Sequence, residues 1–436
     1  MPQRALKRIV APLEAFFHSE SAGGVGLVLA ALVALAWANS PWAETYDALW
    51  ATRVRIGSAG LALEKQLVVW VNDLLMALFF LLVGVEIKRE LLTGELNDRR
   101  KAALPLVAAV GGMLAPLLVY VGVAHEGAAA RGWAIPMATD IAFALGVARL
   151  LGRRVPAALV VLLTALAVVD DLGAILVIAL FYAADLSLEA HVAAGALTLV
   201  LLGLNRAGVQ RPGWYMLVGV PLWVAVLKSG VHATLAGVVV GLCVPARVRF
   251  SREEVVAQAR ALLEAAERGA DDAATQDALT ALEQRIEESQ SPGRRLERML
   301  HPLVAFVILP LFALANAGIS LGGVGRADLL SPAALGASLG LLLGKPAGVL
   351  GASWVAVRCG LAALPRGVGW LHLAGVGALA GIGFTMSLFV AGLAFGEDAV
   401  SHRQAKLGVL AASVAAAVLG SLLLRAAPQA DATEAA

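Results

Sequence analysis

Apolar runs of close to twenty residues, parted by short polar stretches, follow one another along almost the whole chain. They fall near residues 22–39, 67–85, 102–123, 133–149, 156–182, 188–204, 214–227, 231–245, 302–320, 332–357, 370–395 and 405–424. Each approaches the roughly 20 residues that carry a helix across a bilayer. The seventh and eighth are short, and only Lys228-Ser229-Gly230 parts them. Lipid offers no partners to free backbone groups, so spanning segments of this kind must be helical. The pattern predicts an all-α membrane protein of about twelve transmembrane helices, with spans one to eight in residues 22–245 and spans nine to twelve in 301–425.

Two connecting stretches are long enough to fold by themselves. Residues 40–66 contain an alternating segment, Arg53 to Glu64, around a Gly/Ser turn. This predicts a small extracytoplasmic β-hairpin. Residues 246–300 are rich in Ala, Glu, Asp and Arg. Val255, Ala259, Leu262, Leu263 and Ala266 recur at helical spacing, as do Leu279, Leu282 and Ile286, with Arg268 to Asp272 between. That predicts a cytoplasmic helical insertion. A cytoplasmic N-terminus of residues 1–21 and a tail of residues 426–436 complete the layout.

Composition narrows the class. Of 436 residues 59% are hydrophobic and only 15% charged, where soluble domains carry about a quarter. Net charge is +2, which gives no basic surplus for nucleic acid. Cys243 and Cys359 form neither a disulfide framework nor a metal spacing, and no cofactor is expected. The segment after Arg4, Lys7 and Arg8 has no small-residue cleavage site and is read as a retained span. Lys88, Arg89, Arg99, Arg100, Lys101, Arg149, Arg153, Arg154, Arg206, Arg211, Arg358 and Arg366 fall in alternate loops. Excess Lys and Arg marks the cytoplasmic side. Both termini are therefore expected in the cytoplasm.

The informative residues are those that lipid should forbid. Thr139-Asp140 lies in the fourth span, Asp170-Asp171 in the middle of the fifth and Lys345 in the tenth. Each Asp or Lys at a helix centre costs about 2.5–3.5 kcal/mol even on lenient scales, and such residues persist where they serve a cavity. Carboxylates are hard oxygen ligands for small cations, and they also titrate. Adjacent aspartates repel when both are ionised, and burial disfavours the charged form. A carboxylate under both pressures can trade a proton for a cation, which is the chemistry of a cation–proton antiporter. The same spans carry helix breakers. Pro136 precedes Asp140, and Gly375, Gly377, Gly381 and Gly383 punctuate the eleventh span ahead of Thr385 and Ser387. Interrupted helices in the two halves of a chain mark transporter sites built on inverted repeats. Their broken ends carry partial charges, positive at N-termini and negative at C-termini. Asp140 is placed to offset the first and Lys345 the second. Two other classes compete with this reading. A proton-coupled carrier of an organic anion would want a second basic residue in the core. An intramembrane hydrolase would want an aspartate in a Gly-rich setting, and Gly381–Phe384 has none.

Seven stretches carry a family resemblance: LLVGVEIKREL at 81–91, GWAIPMATDIAFALG at 132–146, DDLGAI at 170–175, LKSGVHATLAG at 227–237, LPLFALANAG at 309–318, GKP at 344–346 and GIGFTMS at 381–387. Together they make the chain resemble the NhaA family of sodium/proton antiporters from about residue 20 to 425. The resemblance implies two discontinuous helices crossing at mid-membrane, with Thr139 in the crossed, extended segments. Asp140 and Asp171 would bind sodium or lithium, and Asp170 would pair with Lys345. Glu86, Arg89, Glu90, Glu297 and His301 would form a cytoplasmic funnel that responds to pH, as would His232. The hairpin near 53–64 would join a homodimer in the lipid bilayer. Two departures stand out. Arg298 occupies a position that is often His in the family, and a guanidinium stays charged near neutral pH. The 246–290 insertion is also longer than the family's connector. Both departures fall on the regulatory face and leave the ion site intact.

Overall fold

Hydropathy and helix coincide: each of the apolar segments named above holds helix. In the computed structural model the described residues are 20–57, 62–183, 186–246, 290–396 and 398–428, with scattered positions between 256 and 281. Arg4, Lys7 and Arg8, the hairpin tip at 58–61, most of the expected helical insertion and the tail beyond 428 lie outside them. Among the described residues, 7 helices are long and apolar enough to cross a membrane, or up to 10 if each bent pair counts as one span. Pro212–Lys228 is a shorter apolar helix, and Leu235–Cys243 has 9 residues. The boundary between these last two is where the sequence placed it. The chain leaves the helix after Lys228, and Gly230 adopts φ +83°, a left-handed conformation open to glycine at little cost.

The described parts of the chain pack as two units. The larger comprises Met1–Met76, Thr93–Ala184 and Leu303–Ala436. Its helix Arg99–Val123 runs against Lys345–Arg358. A Cβ on Gly348 would lie 2.1 Å from the Gly111 carbonyl oxygen, so these backbones meet closely because neither position has a side chain. Ala399–Ala426 packs on Trp370–Ala380 and Pro332–Leu339. Its first turn is capped by Asp398, which accepts from the Ser401 amide at 3.2 Å. Nearby, the Gly325 amide, the Gln404 amide group and the Arg403 guanidinium all donate to Asp328. They hold its carboxyl below the ordinary range, the Gly325 bond foremost.

Strands Arg53–Ile56 and Leu63–Gln66 pair antiparallel, with Arg53 opposite Gln66 and Ile56 opposite Leu63, which is the expected hairpin. Ahead of it, Ala43–Ala51 is a helix that the apolar pattern does not announce. Its 9 residues are too few and too polar to register as a span, and buried Tyr46 anchors it by donating to the Leu314 carbonyl at 2.8 Å.

The smaller unit comprises Ala77–Leu92 and Asp185–Pro302. Helix Leu235–Cys243 lies so close to the first of these segments that a Cβ on Gly237 would sit 1.9 Å from the Ala77 carbonyl oxygen. Lys88 donates to the carbonyls of Leu242 and Val244 at 2.8 and 2.6 Å, a cation on the negative end of that helix. Helix Pro292–Leu303 begins ten residues ahead of the ninth apolar segment. Charged side chains from Arg294 to Arg298 conceal this helical start from a hydropathy reading.

Candidate functional site: buried carboxylates at two broken helices

Two helices of the larger unit break where the sequence placed helix-weakening residues. Ala128–Met137 and Ile141–Leu150 meet at a 45° bend, and Trp370–Ala380 and Phe384–Phe395 at 44°. Each break exposes backbone groups that a continuous helix would pair, and buried groups of this kind must find partners. They find them in each other. The Asp140 amide donates to the Ile382 carbonyl at 2.7 Å. The Thr139 hydroxyl lies 2.9 Å from the Ala380 carbonyl, and the Ser387 hydroxyl donates to Ile135 at 2.7 Å.

Asp140 stands at the start of both C-terminal half-helices. Its backbone is extended, with φ −82° and ψ 96°, and its Oδ1 accepts from the Phe143 amide at 2.9 Å as the N-cap of Ile141–Leu150. Its Oδ2 accepts from the Thr385 amide at 3.0 Å and from the Thr385 hydroxyl at 2.5 Å, in the first turn of Phe384–Phe395. One carboxylate thus meets the positive ends of two helices.

Lys345 does the converse. Its ammonium donates to the carbonyl of Met137, the last residue of the short helix Ile135–Met137. It also lies 2.6 Å from Asp170 Oδ2, with neither side chain exposed. The lysine follows a π-helical turn, Gly340–Gly344, and precedes Pro346. Proline lacks an amide proton and so releases a carbonyl one turn earlier, which accounts for the wider turn. The carboxyl oxygen Asp170 Oδ2 lies 2.8 Å from the Thr139 hydroxyl as well. Among the described residues, Asp170 Oδ1 has no hydrogen-bond partner. Asp171, next on helix Ala157–Phe181, is fully buried.

Of the residues singled out from the sequence, Thr139, Asp170 and Lys345 therefore meet directly. Asp140, beside Thr139 in the chain, is buried at 2% exposure. Arg89, Glu90 and Glu297 form a second cluster in the smaller unit. Arg89 bonds to Glu297 and lies 3.2 Å from Glu90. Half-buried Glu86 is one turn before Glu90 on the same helix. His301 is exposed, one turn beyond Glu297. His232 Nδ1 is 2.7 Å from the Thr234 hydroxyl. Arg298 is exposed and bonds to Gln290.

The sequence reading placed Thr385 only as a residue after glycines. Its signal was there in retrospect, because a hydroxyl in the first turn after a Gly-x-Gly break is where a helix N-terminus meets an anion.

Comparison with known proteins gives the family. The family model described as Na+/H+ antiporter 1 matches residues 14–424. A Na(+)/H(+) antiporter NhaA of Oleidesulfovibrio alaskensis is 48% identical over 427 residues, covering 96% of this chain and 95% of that one. One from Rhodospirillum rubrum is 49% identical over 431 residues, covering 97% and 100%. Na(+)/H(+) antiporter NhaA 2 of Sorangium cellulosum is 47% identical over 438 residues, covering 98% and 93%. With buried carboxylates at paired helix breaks and nearly full-length similarity to these proteins, the chain is a multi-pass membrane protein of the Na+/H+ antiporter 1 family.

Proposed function

We propose that this protein exchanges sodium or lithium for protons across a bacterial inner membrane by alternating access, with twelve spans and both termini in the cytoplasm. The observation that carries the reading is Asp140, a buried carboxylate held at the N-termini of two half-helices. Backbone dipoles keep an anion there in the absence of any bound cation, and a small hard cation or a proton can then occupy it in turn.

In this reading Asp140 and Asp171 are the sodium ligands, both ionised when the ion is bound. Asp170 and Thr139 support the site, and Lys345 bridges Asp170 to the broken helix. The two breaks cross at mid-membrane, and opposite faces of the larger unit open in turn. In the return state protons replace sodium. Either both ligands carry one, or one resides on Lys345 while Asp170 is released. More than one proton then balances each sodium ion, and the cycle moves net charge. The membrane potential acts on that charge with about 2.3 kcal/mol per elementary charge per 100 mV, which drives sodium export when the interior is negative. The Arg89–Glu90–Glu297 cluster, with Glu86, His301 and His232, tunes activity with pH, and the hairpin at 53–66 joins two copies.

The test uses purified protein in liposomes holding a proton gradient. Adding sodium or lithium should collapse the gradient, and potassium or choline should not. Collapse by potassium equal to that by sodium, or none by any cation, would overturn the assignment.

A further inference from the structure

We infer that the main-chain carbonyls of Ala380, Gly381 and Leu341, together with the Thr139 hydroxyl, are neutral ligands that hold the exchanged sodium ion at the second helix break. The inference rests on the antiport reading above. It concerns where the cation sits and contains no protonation step.

The two breaks are served unequally. At each, the half-helix before the break ends in carbonyls at the negative end of its dipole. At the first, the Lys345 ammonium donates to the Met137 carbonyl. At the second, Trp370–Ala380 ends on the Ala380 carbonyl, which meets the Thr139 hydroxyl at 2.9 Å. That hydroxyl has one proton to give, and it also lies 2.8 Å from Asp170 Oδ2. It can serve one of these acceptors at a time. With sodium on Ala380, the hydroxyl gives its proton to Asp170 and presents its oxygen to the ion.

The amides that a continuous helix would return to these carbonyls are spent elsewhere. The Phe384 amide, four residues after Ala380, donates to the Ser413 hydroxyl at 3.1 Å. The Thr385 amide, four residues after Gly381, donates to Asp140 at 3.0 Å. The third carbonyl comes from the π-helical turn Gly340–Gly344. There the Lys345 amide, the α-helical donor for Leu341, goes to the Gly340 carbonyl, and Pro346 after it has no amide proton. The Leu341 oxygen lies against the break, because a Cβ on Gly381 would sit 2.5 Å from it. Wholly buried Asp170 adds an oxygen, Oδ1, that has no hydrogen-bond partner among the described residues. Acceptors therefore gather here ahead of donors, and buried carbonyls require partners. Backbone carbonyls can replace the hydration shell of an alkali cation. Gly381 stands between Ala380, which meets Thr139, and Ile382, whose carbonyl takes the Asp140 amide at 2.7 Å. The carbonyls thus flank the aspartate that supplies the charge.

The experiment reads the Gly381 carbonyl directly. Protein carrying carbonyl-labelled glycine and nitrogen-labelled isoleucine gives filtered solid-state NMR signals from Gly–Ile peptide bonds alone, and the sequence has two of these, Gly318–Ile319 and Gly381–Ile382. In liposomes at one alkaline pH, sodium chloride replaces choline chloride at constant ionic strength. The Gly381 carbonyl should shift with the half-saturation that exchange shows, while Gly318, packed against Tyr46, stays in place. Movement of neither signal, or of both together, would overturn the proposal. Ser413→Ala gives a second reading, because it lets the Phe384 amide return to the Ala380 carbonyl. Sodium half-saturation should rise about fivefold, the worth of one hydrogen bond, with the change falling on half-saturation rather than on maximal rate. Unchanged half-saturation would overturn the proposal, as would a lost rate with half-saturation kept. If Ser413→Ala is too unstable to reconstitute, the labelled parent decides the question by itself. Sodium-driven exchange by the parent is measured in the same liposomes. No exchange sinks the antiport reading, whereas exchange with an unmoved Gly381 signal sinks this proposal alone.

Discussion

Replacing Lys345 by Gln should destabilise the protein by an amount that depends steeply on pH. Lysine and Asp170 are both wholly buried, with 2.6 Å between charged atoms. Gln removes the cation and leaves the carboxylate with the Thr139 hydroxyl as its remaining bond among the described residues. Stranding one member of a buried pair costs about 3–5 kcal/mol. The variant has one escape, which is to take a proton onto Asp170. From an ordinary Asp value near 3.9, at about 1.36 kcal/mol per pH unit, that costs roughly 4 kcal/mol at pH 7 and roughly 1.5 kcal/mol at pH 5. The folded variant then binds more protons than its unfolded chain, so its stability falls as pH rises. Thermal unfolding of parent and variant in detergent, from pH 5 to 8, reads the difference directly. The double variant Lys345→Gln/Asp170→Asn should recover most of the loss, because it removes the stranded charge. A deficit that is the same at every pH, or a double variant no more stable than the single one, would refute the reasoning.

Three further outcomes are expected. Asp140→Asn and Asp171→Asn should each abolish most sodium-driven proton movement while leaving insertion intact, since each removes an anionic oxygen at constant size; flux assays on equal amounts of inserted protein check this. Gly348→Val should lower the melting temperature, because its Cβ would meet the Gly111 carbonyl at 2.1 Å and overpacking costs about 1–3 kcal/mol. Gly351→Ala on the same helix, with nothing within 4 Å, is the near-neutral control. Arg298→His should alter the pH profile of exchange without changing its maximal rate, and an unmoved profile would make this exposed position purely structural.

Much of this was legible in the sequence because lipid leaves few options. Uninterrupted hydropathy located the apolar helical segments, and forbidden charges within them marked Asp140, Asp170, Asp171 and Lys345 as buried polar positions. Glycines and prolines located both breaks, and partial charges at broken helix ends anticipated the contacts of Asp140 and Lys345. The pairing of Lys345 with Asp170 came from family resemblance alone, because period and spacing say nothing about which distant helices touch. The π-helical turns at Val71–Leu75, Val304–Ile308 and Gly340–Gly344 were not legible either. Two of them precede Pro310 and Pro346, but one proline also fits a kink or a helix end, and packing decides among these. Thr385 escaped notice for a related reason. Its role depends on two helix breaks meeting, a fact written in neither segment by itself.

The central claim is that one buried carboxylate site holds either sodium or protons. Titrating lithium or sodium into the purified protein by calorimetry, in buffers of different ionisation enthalpy, counts the protons released per cation bound. The account predicts more than one proton released per ion near the middle of the active pH range, with binding lost in Asp140→Asn. Cation binding with no proton release, or release undiminished in Asp140→Asn, would contradict it.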